Sequence, residues 1–151
     1  MDRQQKGFSL IELLIVVAII LIIAAIAIPN LLRSKEAANE ASAVGSLRTI
    51  NTSSVAFSIT YGNYPTKLSD LGPSATPSST SADLIDSVLV TGSKTGYTFA
   101  YTATSPFLQY TITAAPTVPG VSGQRYFFTN QSGVIRASTS AAATVTSTPL
   151  S

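Results

Sequence analysis

Glu12 is the residue whose chemistry most clearly requires a partner, because it is the single charge within the apolar run from Phe8 to Ile28. A carboxylate among apolar groups is unstable unless a positive charge or hydrogen-bond donors accompany it. Ionisable residues inside membrane-like apolar segments mark functional contacts far more often than they lie idle. Glu12 therefore predicts a contact with a positive group.

The side chains that most often carry out catalysis are missing or scarce. The chain has no histidine and no cysteine, which removes the usual zinc ligands, bases and strong nucleophiles. No Asp or Glu follows Asp86, which argues against a paired-carboxylate site or an all-oxygen calcium cage in the C-terminal half. The sequence therefore predicts a protein that is not an enzyme, with no catalytic residue, no cofactor and no metal.

The apolar run has the length of a membrane span. From Phe8 to Ile28 it holds 21 residues, which as a helix extend about 31 Å at about 1.5 Å per residue, close to the thickness of a bilayer core. Arg3 and Lys6 precede it, and positive residues keep that end of a span in the cytoplasm. An ordinary secretory signal has a shorter apolar core and a small-residue cleavage site after it. Here the small residue, Gly7, comes before the run, so the run is expected to stay on the mature protein.

The same residues resemble a known family. The string Gly7-Phe8-Ser9-Leu10-Ile11-Glu12-Leu13, the apolar run after it and Pro29 are similar to the N-terminus of type IV prepilins and of the pseudopilins of type II secretion. The resemblance implies cleavage between Gly7 and Phe8 by a prepilin peptidase on the cytoplasmic face. It also implies N-methylation of the new Phe8 amine and export without loss of the helix.

Cleavage would give Glu12 its positive partner. The new amine at Phe8 lies one helical turn from Glu12, and the two can pair within one chain or between neighbouring chains. A pair between chains would set the axial register as each subunit joins, so Glu12 is a predicted assembly residue. Pro29 removes a backbone donor and strains the preceding turn, and the resemblance implies that this region can kink or locally melt on assembly, which makes Pro29 the second predicted assembly residue.

One departure from the family pattern concerns the middle of the run. Many relatives carry a glycine there, where this chain has Leu21. Leucine favours the helix by about 0.8 kcal/mol over glycine. Local melting between Leu21 and Pro29 is therefore less strongly expected here than in typical members.

From Asn30 to about Tyr61 the pattern is that of an amphipathic helix, which Gly62 and the residues after it are expected to end. One apolar stripe recurs at spacings of three and four: Val44, Leu47, Ile50, Ser54, Phe57 and Tyr61. This half is expected to pack on a small antiparallel β-sheet while the apolar half protrudes, which is an α+β, type IV pilin-like fold. Glu36 and Glu40 are expected to lie on a solvated or inter-subunit polar face.

Alternating residues predict a sheet of three or four antiparallel strands, with one face on the helix. The predicted strands are 97–102, 108–114, 125–129 and 133–136, with a hairpin turn at 130–133, and Leu68 and Leu71 predict a short helical turn before an exposed loop at 73–81. The expected organisation is a cleaved leader (1–7), a transmembrane and filament-core helix (8–29), an amphipathic helix (30–61), a loop region and sheet (62–136), and a tail or edge strand (137–151).

These features favour a structural subunit of a type IV pilus-like filament. It is expected to wait in the inner membrane with its N-terminus in the cytoplasm, and then to enter an extracellular pilus. The partners that the resemblance implies are other copies of the chain, the prepilin peptidase and methylase, and an assembly platform with its motor. One alternative is a subunit of a periplasmic pseudopilus in type II secretion. Major pseudopilins of that family typically build a calcium site from C-terminal carboxylates, but this chain has no Asp or Glu after Asp86.

Two further functions use other features of the chain. A singly membrane-anchored binding domain would need neither cleavage at Gly7 nor Glu12. Direct binding of nucleic acid would depend on a small basic patch of Lys94, Arg125 and Arg136, and three charges predict weak, salt-sensitive binding at best.

Overall fold

A computed structural model describes residues 7–150 of the chain. Its helices are α1 (Leu10–Tyr61) and α2 (Ser87–Val90), with a 3₁₀ turn at Leu68–Leu71 between them. Its strands are β1 (Ser93–Lys94), β2 (Tyr97–Thr104), β3 (Gln109–Pro116), β4 (Tyr126–Asn130), β5 (Arg136–Ser138) and β6 (Thr148–Pro149). A long N-terminal helix followed by an antiparallel sheet confirms the predicted α+β class. The predicted leader lies outside the described residues except for Gly7.

The chain divides into two compact units, Met1–Ser34 and Lys35–Ser151. In the first unit, the described residues form the apolar part of α1. Its side chains are almost all exposed, including large apolar ones such as Ile11, Leu14 and Ile22.

In the second unit, the strands form a single sheet in the order β1-β2-β3-β4-β5-β6. Every neighbouring pair is antiparallel, so the sheet is a simple meander. It has more strands than the three or four predicted. The additional strands at its two edges, β1 and β6, have only two residues each, which is too short to show an alternating pattern in the sequence.

The core of the second unit lies between α1 and the sheet. The predicted stripe of α1 is confirmed, because Leu47, Ile50, Ser54 and Phe57 are buried and the two ends of the stripe are partly buried. Aromatic and aliphatic side chains of the sheet complete the cluster: Tyr97, Phe99, Tyr110, Ile112 and Phe127. Full burial of one large apolar side chain contributes about 1.5–3 kcal/mol, so this contact is the main attachment of the helix to the sheet.

Three buried polar side chains of this core, those of Tyr110, Asn51 and Thr129, are bonded across it. The Tyr110 hydroxyl donates to Asn51 Oδ1 at 3.0 Å, and the Asn51 amide donates to Thr129 Oγ1 at 2.9 Å. Burial raises the pKa of Tyr110 to about 12, so the hydroxyl remains a donor at neutral pH. These bonds join α1 to β3 and β4.

Two strand predictions need correction. Leu108 is exposed and lies before β3 begins at Gln109. The strand predicted at 133–136 begins at Arg136 instead, because Gly133 has φ 73° and belongs to the preceding turn. The hairpin turn itself is confirmed, since the Gly133 N–H donates to the Asn130 carbonyl at 2.9 Å.

The expectation of a solvated Glu40 is wrong. Glu40 is only 8% exposed. Oε1 accepts the backbone N–H groups of Gln124 at 2.8 Å and Arg125 at 3.1 Å, and Oε2 pairs with Arg125 Nε at 2.7 Å. Glu36 is half-buried, and among the described residues its one donor is the Gln124 amide, at 3.3 Å. The partners of Glu40 are 84 and 85 residues away in the chain, which is why local sequence pattern misplaced it.

Candidate functional site

The predicted cleavage position lies in exposed chain before the helix. Gly7, Phe8 and Ser9 have no regular secondary structure, and nothing approaches the position of a Gly7 side chain within 4 Å. Phe8 is 86% exposed. Proteases act on exposed, irregular backbone, so the Gly7–Phe8 peptide bond has the geometry that cleavage requires.

Glu12 is bonded to the first turn of its own helix. It is the third residue of α1, and its Oε2 accepts the backbone N–H of Ser9 at 2.8 Å. This is the acidic half of a capping box, in which a glutamate three residues after the N-cap satisfies the N-cap N–H. The positive end of the helix dipole also favours a carboxylate at this place. The spacing Ser9-x-x-Glu12 contains this signal, which the sequence analysis did not use.

The other oxygen of Glu12 remains available. No donor among the described residues 7–150 bonds to Oε1. A positive group near Phe8 would therefore meet a carboxylate that is held in place by one bond and has a free acceptor.

The surface of α1 after Glu12 is apolar from Leu13 to Pro29. An 18-residue window of α1 has a mean hydropathy of 3.3 and is 0% buried, and the helix is long and apolar enough to cross a membrane. An exposed apolar surface of this extent in a protein marks a contact with a membrane or with other protein.

Pro29 lies inside α1, which continues unbroken across it. Because proline has no N–H, the carbonyl of Ala25 lacks its usual helical partner. Seventeen residues separate Glu12 from Pro29, or about 25 Å along a helix. The predicted site residues thus form two places on α1, with Gly7, Phe8 and Glu12 at its start and Pro29 far along it.

Other sites that the sequence suggested are weaker in the structure. Among the described residues, no group of three or more His, Cys, Asp or Glu is placed to hold a metal ion. Two members of the predicted basic patch are neutralised, since Lys94 pairs with Asp86 at 2.9 Å and Arg125 pairs with Glu40 at 2.7 Å. The third, Arg136, donates to the Ser147 carbonyl. This patch therefore offers little free charge to nucleic acid.

Comparison with known proteins agrees with this geometry. Residues 2–28 match the family described as the prokaryotic N-terminal methylation motif. The chain is 32% identical over 72 residues to the type II secretion system core protein G of Dickeya chrysanthemi, a match that covers 48% of this chain and 47% of the relative. It is 63% identical over 38 residues to the type IV wide pilus major component PilA4 of Thermus thermophilus, which covers 25% of this chain and 29% of the relative.

A third relative is the type II secretion system core protein G of Aeromonas hydrophila, 33% identical over 64 residues, or 42% of this chain and 45% of the relative. The chain thus spans about half the length, or less, of these curated relatives. No solved structure gives a significant match. The resemblance to the type IV prepilin and type II secretion pseudopilin family, first indicated by the residues around Gly7 and Glu12, is confirmed.

Proposed function

We propose that this chain is the precursor of a structural subunit of a type IV pilus-like filament. It is inserted in the inner membrane through α1, with its N-terminus in the cytoplasm. A prepilin peptidase cleaves it between Gly7 and Phe8, the new Phe8 amine is methylated, and the mature chain polymerises through α1. The partners are further copies of the chain, the peptidase and methylase, and an assembly platform with its motor.

The observation that carries the proposal is the uncovered apolar surface of α1 in the first unit. In water this surface would drive aggregation. A bilayer covers it before assembly, and the helices of neighbouring copies cover it afterwards. Both environments are apolar, so a subunit can move from one to the other without exposing the helix to water.

Glu12 supplies the polar interaction that such a transfer would use. Apolar contacts are non-directional, whereas the pairing of the Phe8 amine with the Glu12 carboxylate fixes one position along the helix. Oε1 of Glu12 has no donor among the described residues 7–150 and Phe8 is exposed, and both observations support this role. The pair forms within one chain or between neighbouring chains, and the version between chains sets the axial register of each incoming subunit.

The proposal requires no catalytic group or bound cofactor. The named relatives are a pilus component and secretion-system core proteins, and the sequence contains no histidine or cysteine. Adhesion, motility or DNA uptake would be properties of the assembled fibre rather than of the single chain.

A pseudopilus subunit of type II secretion is the second candidate function, and the relatives named core protein G favour it. The same processing and the same helix would serve there, with the filament confined to the periplasm. The absence of Asp and Glu after Asp86 favours a pilin or a minor pseudopilin, because a C-terminal calcium site of the kind expected in major pseudopilins needs carboxylates.

Fractionation of sheared cells tests the proposal. Surface filaments are separated from membranes, and the intact mass and the N-terminus of the chain are measured in each fraction. We expect a mature chain that begins at methylated Phe8 in the filaments. The same mature chain in membranes alone would favour the pseudopilus, and an uncut chain beginning at Met1 would show a singly anchored domain instead.

Substitution of Glu12 tests the assembly mechanism. We expect Glu12→Ala to be cleaved normally but to yield no filaments. Glu12→Gln is the matched control, because its amide oxygen can still accept from the Ser9 N–H although it carries no charge. If Glu12 acts through its charge, Glu12→Gln also fails to assemble. Normal filaments from Glu12→Gln would reduce Glu12 to a helix cap, and a wild-type chain that forms no filaments and behaves as Glu12→Leu does would favour the anchored domain.

A further inference from the structure

Two flanks of α1 in the second unit carry different surfaces. On one flank, Asn51 donates to Thr129 of β4. On the other, the Ser53 hydroxyl donates to the Leu84 carbonyl at 3.0 Å. Because two residues correspond to about 200° around a helix, these contacts lie on nearly opposite sides of α1.

The first flank holds a groove of about 540 Å³ between α1 and the β4–β5 turn. Arg48, Thr52 and Val55 line it from the helix, and Gln131 and Gly133 line it from the turn. We call it the basic groove, because Arg48 is the one charged residue among its lining residues. The Arg48 side chain is exposed and has no ion pair or hydrogen bond with the described residues. Val55 beside it is 42% exposed and adds apolar surface to the groove.

The opposite flank carries residues 83–88, which we call the acidic loop. Asp83 is exposed, and its carboxylate accepts no hydrogen bond or ion pair from the described residues. Among residues 35–150, Asp83 is the one exposed residue whose carboxylate has no hydrogen-bond or ion-pair partner. Glu36 accepts a hydrogen bond from Gln124, and Asp86 pairs with Lys94. Leu84 and Val88 add exposed apolar surface next to it.

The acidic loop is held in a fixed shape. The Leu84 N–H donates to the Leu71 carbonyl at 2.9 Å, and the Asp83 N–H donates to the Gly72 carbonyl at 2.7 Å. The Leu84 carbonyl is bound by Ser53. A preorganised loop loses little conformational entropy when it binds, which favours its use as a contact surface.

We infer that the acidic loop of one copy docks in the basic groove of the next copy, with Asp83 against Arg48 and Leu84 against Val55. This inference rests on the proposed filament function and names the lateral contact within it. Each surface presents one unpaired charge of opposite sign beside exposed apolar area, and such complementarity selects the partner and the register. Since the two surfaces differ and lie on opposite flanks, the contact is heterologous and continues from copy to copy without closing into a dimer.

Charge reversal provides the first test, in cells that express the full precursor. We expect Arg48→Glu to lower the yield of sheared filaments about tenfold, because like charges then face each other across the contact. Asp83→Asn should lower it as well, and it keeps a residue that tolerates the φ of 54° at this position. Lys67→Glu is the matched control, because this exposed lysine does not line the groove, and it should leave the yield unchanged. An unchanged yield from Arg48→Glu would overturn the contact.

Disulfide cross-linking provides the second test. Because the chain has no natural cysteine, every disulfide that forms must join the introduced cysteines. Sheared filaments of the double variant Val55→Cys with Leu84→Cys should give a ladder of dimers, trimers and larger products after mild oxidation. The control pair Val55→Cys with Val121→Cys should give none. Filaments of the Val55→Cys with Leu84→Cys variant that give no such ladder would overturn the contact but leave the filament function intact. A wild-type chain that forms no polymer at all would overturn both.

Discussion

At the scale of single residues, Glu40 is the clearest structural contact of the second unit. Its carboxylate binds two backbone N–H groups and the Arg125 guanidinium, so it ties α1 to the start of β4. We expect Glu40→Ala to lower the free energy of unfolding by about 2 kcal/mol, because it leaves buried donors without a partner. Urea unfolding of the mature chain in detergent, followed by near-UV circular dichroism, measures this.

The control for that variant is Glu36→Ala. Glu36 is only half-buried and accepts one long bond from Gln124, so its loss should change the free energy of unfolding by less than about 0.5 kcal/mol. Equal losses from the two variants would contradict a special role for Glu40.

Glu40 also predicts how stability depends on pH. Burial acts to raise its pKa, but the N–H of Gln124 and the bonds and charge of Arg125 outweigh burial, so the pKa of Glu40 lies below its ordinary value of 4.5. A carboxylate with a lowered folded-state pKa stabilises the fold above its unfolded pKa, and this stabilisation is lost as the pH falls through the folded pKa. We therefore expect the free energy of unfolding to fall between about pH 5 and pH 3. The same titration of Glu40→Gln should show a shallower fall, and parallel curves would exclude Glu40 as the cause.

The contacts of a residue can be predicted from the sequence when its partners are close to it in the chain. The partner of Glu12 in the described structure is Ser9, three residues away, and the spacing S-x-x-E is readable without a structure. Glu40 has partners 84 and 85 residues away. No local pattern contains that contact, because it depends on how the sheet folds back on α1.

At the scale of elements, glycine is unfavourable in the interior of α1 but favourable at the position where the helix ends. Gly45 lies inside the helix with open space around it, whereas Gly62 follows the helix with φ 82°. We expect Gly45→Ala to raise the free energy of unfolding by about 0.5–1 kcal/mol, because alanine favours the helix. Gly62→Ala should lower it by about 1 kcal/mol, because a side chain is strained in the left-handed region. Thermal unfolding of the two variants side by side measures this, and changes of the same sign would contradict it.

The sheet shows which elements a periodic pattern can predict. The alternation Tyr97, Phe99, Tyr101 indicates β2, because a half-buried strand of this length repeats its pattern several times. The short edge strands β1 and β6 are specified by pairing with their neighbours, as in Ser93 opposite Thr98. Their own residues carry no such signal. β1 was missed, and residues 137–151 were expected only as a tail or an edge strand, because backbone pairing, unlike burial, leaves no periodic trace in the sequence.

At the scale of the whole molecule, the scarcity of charge determines which forces can hold copies together. Only 11% of the residues are charged, and the described ion pairs of the second unit, Lys94–Asp86 and Arg125–Glu40, are internal. The apolar part of α1 is by contrast wholly uncovered. In the proposed filament the apolar helices therefore supply most of the binding free energy, while pairs such as Arg48 with Asp83 and Phe8 with Glu12 select the register.

This division of roles makes a prediction about filament disassembly. We expect sheared filaments to remain sedimentable in about 1 M salt, because screening with a Debye length of about 3 Å weakens exposed ion pairs but leaves apolar contacts intact. A mild non-ionic detergent should dissolve them, because its tails cover α1 as neighbouring helices do. Ultracentrifugation with quantification of the pellet measures both treatments. Filaments that dissolve in salt and resist the detergent would show that ionic contacts between the second units hold the polymer together, contrary to the role proposed for α1.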